Sequence, residues 1–197
     1  MSKSEPAPTK DNQADDRRTL HRHWMLGQDD HAIATTEFEW AMMRLHAAFE
    51  RSCIQLANLS GQPAMSFQEA VLLHVVAMQH HPQTSQSLAR QLNRDDVPNM
   101  QYTLRKLQDQ KLVLKRREPR GRIYTYEATE AGRRVVQRYA EVRSLLLAGK
   151  TKFIEDIDER LTAATDLMAL LTGVYDDVAR VSSTYSPMDE PGNSTTQ

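Results

Sequence analysis

One short amphipathic segment, residues 96–110, carries polar side chains of the types that recognise the edges of DNA bases. At 100° per residue its apolar residues fall on one side of a helix and its polar residues on the other. Asparagine and glutamine can pair bidentately with adenine, and arginine can pair with O6 and N7 of guanine. A polar helix face is most often simply solvated, so the neighbouring elements must decide between the two interpretations. If this face reads bases, we expect the contacts to come from Asn99, Gln101, Tyr102 and Arg105.

Basic residues flank this segment and suit the DNA backbone. Residues 84–138 contain 13 Lys and Arg against 6 Asp and Glu, and residues 141–197 contain 5 against 10, within a chain whose net charge is −1. Phosphates sense the local field and not the net charge, so a basic middle can attract DNA. The predicted contacts to phosphates, or to the minor groove from a hairpin tip, are Ser85, Lys106, Lys115, Arg116, Arg117, Arg120 and Arg122.

The order of predicted elements is that of a winged helix-turn-helix. Ser66 and Glu69 form a capping box that begins a helix. Two short helices then meet at a tight connection, Asn93-Arg94, which is the helix-turn-helix pattern, and Asp95 or Asp96 caps the second helix. A two-stranded ribbon with a basic turn follows as a wing. The predicted helices cover about 30–59, 66–78, 85–92, 96–110, 129–148 and 150–180, and the predicted strands cover 112–116 and 122–127.

These elements predict a mostly α fold, with a winged helix-turn-helix DNA-binding domain and N- and C-terminal helices that form a dimerisation domain. The winged domain is expected at 62–144, and the helical dimerisation region at 30–60 and 145–181. Residues 1–28 and 182–197 are polar and lack a sustained period, which is typical of a weakly ordered arm and a flexible tail.

Several stretches resemble the multiple-antibiotic-resistance regulator (MarR) family. They are Ser87–Leu92, Tyr102–Val113, and Ala128–Gly132, where members of the family usually have Leu-Thr-x-x-Gly. The resemblance covers roughly residues 30–180, and its specific part is about 84–132. It implies a dimer that binds an inverted repeat in double-stranded DNA and is often released by a small ligand or by cysteine oxidation.

Two positions depart from the family pattern. Lys111 stands where a glycine usually follows the recognition helix, which removes an easy left-handed stop. The wing reads Arg117-Glu118-Pro119-Arg120-Gly121-Arg122 in place of the usual Asp-x-Arg, which leaves the register of the wing arginines open.

The last predicted helix carries an apolar seam whose steps alternate between three and four residues, as in helices that pair. A long helix outside a compact winged domain needs a partner for such a face, and a second copy of the chain supplies one. The alternative is that the seam packs on the first helix of the same chain. The seam consists of Ile154, Ile157, Leu161, Ala164, Met168, Leu171, Tyr175 and Val178.

Together these features favour a dimeric, sequence-specific regulator that binds double-stranded DNA. Promoter occlusion needs only binding, so a repressor of an inverted-repeat operator is favoured over an activator. The alternative from another class is a winged-helix protein-interaction module that dimerises but does not bind DNA. Release by a small-molecule effector is a further expectation, and its predicted pocket would be lined by Met42, Met43, His46, Phe67 and His74.

Other chemistries find little support in the sequence. Cys53 is the single cysteine, so an intramolecular disulfide and a paired-cysteine zinc site are excluded, and Cys53 is more simply a small hydrophobic residue than a sensor. His74, His80 and His81 lack a metal-binding spacing. No nucleophile elbow or phosphate-binding glycine loop is present, so we expect neither an enzyme nor a cofactor. The absence of a signal peptide or a membrane-length apolar run predicts a cytoplasmic protein with no membrane partner.

Overall fold

The computed structural model describes residues 27, 29–117 and 123–185. The hairpin tip and nearly all of the predicted arm and tail lie outside these residues. Two compact units are distinguished, one ending at Val142 and the other starting at Arg143. The predicted grouping of 30–60 with 145–181 as a dimerisation region stays a prediction.

The elements follow the predicted order. The helices are α1 (Asp30–Leu59), α2 (Phe67–Ala77), α3 (Ser85–Gln91), α4 (Val97–Asp109), α5 (Glu130–Arg143), α6 (Gly149–Thr151) and α7 (Ile157–Ser182). The strands β1 (Gln83–Thr84), β2 (Val113–Arg117) and β3 (Tyr124–Ala128) form an antiparallel sheet in the order β1-β3-β2. Strand β1 was not predicted, because two residues are too few to show a period. The mostly α fold class with a winged helix-turn-helix is confirmed.

Local signals set the boundary between α1 and α2. The Ser66 hydroxyl accepts from the Glu69 backbone N–H over 3.3 Å, and the Glu69 carboxylate accepts from the Ser66 N–H over 2.8 Å, which is the predicted capping box. Helix α1 ends in a Schellman motif at Gly61, whose φ of 87° suits glycine. There the Gln62 N–H donates to the Ala57 carbonyl over 3.0 Å.

One apolar core joins α2, α3, α4 and the β2–β3 hairpin. Its fully buried side chains each stabilise the fold by about 1.5–3 kcal/mol relative to exposure. Ala57 extends this core into the C-terminal part of α1, and Tyr126 is a member of the core from β3. The largest fully buried side chains are Leu72, Leu73, Leu88, Met100, Leu104 and Leu107. Helix α4 contributes half of them, so its opposite side is left facing outward.

Helix α1 buries its ends and leaves an apolar middle uncovered. Ile33 and Leu56 are buried, whereas Met42, Leu45 and Phe49 are exposed in the single chain. The predicted 3.6-residue periodicity is therefore present, but the chain itself covers only part of the apolar stripe.

The C-terminal breaks differ from the prediction. Gly149 does not interrupt a helix, because it has φ −61° and is the first residue of α6, directly after a π-helical turn over 144–148. A glycine costs only about 1 kcal/mol in a helix interior, so it need not end one. The break falls before α7, where Asp156 has φ 53°. Ile154 therefore lies outside the helix whose seam it was predicted to begin.

Helix α7 has 26 residues and none of them is buried in the single chain. Of the predicted seam, Leu161 and Met168 are 54% and 42% exposed, and Ile157, Leu171 and Tyr175 are half-buried. The apolar stripe of α7 is therefore available to a partner. Its assignment to a dimer interface stays a prediction.

Candidate nucleic-acid interface

Helix α3 is the first helix of the helix-turn-helix, and both of its ends are set locally. The Thr84 hydroxyl accepts from the Ser87 backbone N–H over 3.1 Å and caps the start. The chain leaves the helix through Asn93, whose φ of 50° is left-handed. The Arg94 N–H then donates to the Ala89 carbonyl over 2.9 Å, which completes a Schellman motif. Asparagine tolerates this conformation better than most residues, so it suits this tight turn.

Helix α4 is the second helix of the helix-turn-helix. The Asp96 carboxylate accepts from the Asn99 backbone N–H over 3.0 Å and caps its start. At its end the Leu112 N–H donates to the Leu107 carbonyl over 2.9 Å, and Lys111 takes φ 60° between them. Lys111 thus makes the left-handed stop for which a glycine is usual, at a strain of about 1–2 kcal/mol.

The two faces of α4 are as different as the sequence predicts. Met100, Leu104 and Leu107 lie in the core, and buried Thr103 donates its hydroxyl hydrogen to the Asn99 carbonyl over 3.0 Å. The residues left exposed on the other face are Pro98, Gln101, Tyr102, Arg105, Lys106 and Asp109.

A cleft of about 570 Å³ gathers four of the predicted DNA contacts. Ser85 comes from the start of α3, Gln101 and Arg105 come from the exposed face of α4, and Lys115 comes from β2. No acidic side chain is among the described residues that line it. Two cations and several uncharged hydrogen-bonding groups in one concave surface suit a polyanionic ligand.

Tyrosine rings hold the wing lysine at this cleft. The Lys115 Nζ lies 4.0 Å from the ring centre of Tyr124 and 6.0 Å from that of Tyr126, its direct partner across the hairpin. Such cation–π contacts fix a side chain while leaving its charge available. Tyr124 and Gln86 also line the cleft, and sequence reasoning missed both. Alternation along β3 could have indicated Tyr124, since it faces the same side as Tyr126.

Charge and burial compete at the floor of the cleft. Burial raises the pKa of Tyr126 above its usual value of 10.0, the positive charge of Arg105 opposes that rise, and Tyr124 adds slightly to it. The charge of Arg105 on α4 therefore acts directly on Tyr126 of the hairpin.

Two of the four predicted base contacts do not line the cleft. Asn99 is half-buried in the first turn of α4. Tyr102 is 54% exposed on the neighbouring side of the helix. Their predicted roles as base contacts stay predictions.

Lys106 is engaged with the domain itself. Its Nζ lies 3.9 Å from a carboxylate oxygen of buried Glu69 and 5.1 Å from the ring centre of Tyr102. The sequence could not indicate this pair, because its members are far apart along the chain.

The hairpin arginines divide between two faces. Arg116 forms an ion pair with Glu127 and faces away from Lys115, because neighbouring strand residues alternate. Arg117 is exposed and lies directly opposite Tyr124. Arg120 and Arg122 fall outside the described residues.

The predicted effector pocket is only partly realised. A cavity of about 410 Å³ is lined by His46 and Phe67, and it reaches Arg94 in the helix-turn-helix connection. Met42 and Met43 are exposed elsewhere on α1 and do not line it.

His74 is also absent from that cavity. Its Nδ1 lies 2.6 Å from the Ala70 carbonyl, and its ring packs on Tyr139 with the centres 4.3 Å apart.

Across residues 29–117 and 123–185, no three His, Cys, Asp or Glu side chains are grouped to hold a metal ion. None of the helices in the described part of the chain has the length and apolar character to span a membrane. Cys53 is buried.

Comparisons with known proteins place this geometry among DNA-binding folds. Residues 65–132 match the sequence family described as a winged helix DNA-binding domain. No curated protein matches the chain. Among solved structures, a MarR family transcription regulator is 16% identical with a TM-score of 0.58, covering 77% of this chain and 99% of that one.

Two similar structures were solved with DNA. A Staphylococcus aureus MepR–DNA complex is 17% identical with a TM-score of 0.56, covering 70% of this chain and 97% of that one. Streptococcus pneumoniae FabT in complex with DNA is 15% identical with a TM-score of 0.54, covering 71% and 98% respectively. The resemblance to the MarR family that the sequence predicts is therefore confirmed for the fold.

Proposed function

We propose, from the premise that this chain carries a winged helix DNA-binding domain in the fold of the MarR-family regulators, that it regulates transcription by binding double-stranded DNA as a homodimer. The observation that carries the proposal is the cleft holding Ser85, Gln101, Arg105 and Lys115. Phosphate contacts supply much of the affinity of such surfaces, and contacts to base edges supply the specificity.

In the proposed complex α4 lies in the major groove. Arg105 and Gln101 project from its exposed face and can pair with guanine and adenine respectively. Lys115 and Ser85 line the same cleft and suit the phosphates that border the groove. The hairpin tip would continue along the backbone or enter the next minor groove, which is the role predicted for Arg120 and Arg122.

A second copy of the chain is the proposed partner of α7. An exposed apolar stripe on a 26-residue helix is costly in water, and a two-fold dimer would bury the stripe of each copy against the other copy. The same symmetry would place two recognition helices about 34–36 Å apart, which matches an inverted repeat.

Solution mass at micromolar concentration tests the dimer. Leu161→Glu introduces a charge into the stripe and should yield monomers, whereas Ala163→Glu, also exposed on α7 but outside the seam, should not. A single-chain mass for the unmodified protein would contradict the proposal.

Repression and effector release complete the proposed function. Occupying an operator blocks a promoter without any further contact, so repression needs only the binding described above. A small ligand in the 410 Å³ cavity would contact Met100 and Thr103 of α4 and so disturb the recognition helix. Val71→Phe, which fills this cavity, should weaken DNA binding, and unchanged affinity would argue against such coupling.

Selection of fragments from genomic DNA by the purified full chain tests the central proposal. The recovered duplex should bind at least about 10³-fold more tightly than a random duplex, with a steep dependence on salt. A winged-helix module that only binds protein would show neither property. That result would contradict a DNA-binding function and favour the protein-interaction module.

Two variants separate base reading from phosphate binding. Arg105→Ala should cost about 1–3 kcal/mol on the selected duplex and relax discrimination at one position. Lys115→Ala should weaken all duplexes alike and reduce the salt slope by about one. Arg138→Ala is the control, since it removes the same charge from a pair with Glu141 on α5. Unchanged affinity in Arg105→Ala would show that α4 does not read the bases.

A further inference from the structure

The buried carboxylate of Glu69 links two helices that the sequence treats separately. Only 3% of Glu69 is exposed, and one carboxylate oxygen accepts the Ser66 N–H at the start of α2. The other oxygen lies 3.9 Å from the Lys106 Nζ and accepts a hydrogen bond from the Gln110 side chain over 3.4 Å. One anion thus contacts both the first turn of α2 and the end of the recognition helix.

The charges at this junction match the helix dipoles. A carboxylate is stabilised at a helix N-terminus, and an ammonium group is stabilised near a C-terminus. Glu69 occupies the former position in α2 and Lys106 the latter in α4. Since a buried charge without partners is costly, removing Lys106 leaves the Glu69 carboxylate in an unfavourable setting.

Lys106 also extends the link to the exposed face of α4. Its Nζ lies 5.1 Å from the ring centre of Tyr102, which is one turn earlier in the helix. The ammonium group therefore contacts both an anion of the domain core and an aromatic side chain on the predicted DNA-reading face. These two contacts restrain the cation and the ring that it touches.

We propose that Glu69 and Lys106 are positioning residues for sequence discrimination, and that Lys106 is not the phosphate contact that the sequence suggests. Glu69 holds Lys106, and Lys106 holds Tyr102 and the last turn of α4 at a fixed place on the domain. This inference rests on the proposed DNA-binding function and assigns one of its specificity determinants.

The test compares binding to the duplex recovered by genomic selection with binding to a random duplex of equal length. Glu69→Gln keeps an oxygen that can accept the Ser66 N–H but removes the charge. It should lower the specific-to-random ratio about tenfold, within the range of couplings between residues in contact. Lys106→Met, at a half-exposed position, should lower the ratio similarly and leave the salt slope unchanged.

A double variant and a matched control complete the experiment. Glu69→Gln combined with Lys106→Met should discriminate no worse than either single variant, because both break one linkage. Glu141→Gln, which removes a carboxylate from the Arg138 pair on α5, should leave the ratio unchanged.

The outcomes separate this inference from the proposed function. If Lys106→Met weakens both duplexes equally and lowers the salt slope by about one, Lys106 is a phosphate contact and the inference is wrong. If the unmodified protein itself does not distinguish the two duplexes, the proposed function fails instead.

Discussion

Replacing Gly132 by alanine should destabilise the winged domain, because the added Cβ has no room. Built on the backbone of α5, this atom would lie 2.2 Å from the Leu112 carbonyl oxygen, 3.1 Å from its carbonyl carbon and 3.3 Å from a Leu73 methyl carbon. Even close carbon–oxygen contacts in proteins are about 3.3 Å, so the two backbones must separate by about 1 Å.

The group that must move is held by hydrogen bonds. The Leu112 carbonyl accepts from the Thr129 N–H over 3.0 Å and from its hydroxyl over 3.2 Å, and the Leu112 N–H is committed to Leu107. Overpacking costs about 1–3 kcal/mol, and no side chain can rotate away here, so the upper value applies. Alanine regains about 1 kcal/mol of helix propensity over glycine. The net loss should be about 2 kcal/mol, or ~4–8 °C in melting temperature.

Urea unfolding followed by far-UV circular dichroism measures this loss. All proteins are compared at one concentration, because the apparent stability of the proposed dimer would depend on protein concentration. Gly173→Ala in α7 is the matched control, since nothing lies within 4 Å of its added Cβ. That variant should gain about 0.5–1 kcal/mol from propensity alone. A Gly132→Ala protein as stable as the unmodified one would refute the steric explanation.

Three further substitutions test other features of the winged domain. Lys111→Gly should raise the free energy of unfolding by about 0.5–1 kcal/mol, because relief of about 1–2 kcal/mol of left-handed strain exceeds the cost of ordering the more flexible glycine, and an unchanged urea midpoint would contradict this. Asp96→Ala should lower the free energy of unfolding by about 1 kcal/mol, because it removes the cap on the Asn99 N–H. A thermal melt measures this loss, and an unchanged melting temperature would show that the cap contributes nothing. Because burial raises the pKa of Tyr126 while Arg105 opposes the rise, the folded state retains the phenol proton and loses stability above about pH 10. Tyr126→Phe should flatten that alkaline loss in urea titrations, and an equal slope would exclude Tyr126 as its source.

The amino-acid sequence was sufficient to predict the features that depend on neighbours along the chain. The Ser66–Glu69 capping box, the turn at Asn93 and the Asp96 cap are interactions within five residues, so each is visible as a short pattern. The two faces of α4 follow from its 3.6-residue period in the same way. The winged order of helices and strands could be predicted for this reason.

Only the tertiary structure decided which side chains meet across elements. The register of β2 with β3 sends Lys115 to the cleft and Arg116 to the opposite face, although the two are adjacent in sequence and equally basic. The packing of α2 on α4 turns Lys106 toward Glu69, a pairing between residues far apart in the chain. Alternation along a strand places Lys115 and Arg116 on opposite faces, but which of these faces meets the cleft depends on distances through space that the packed core sets. The same distances bring Lys106 to Glu69.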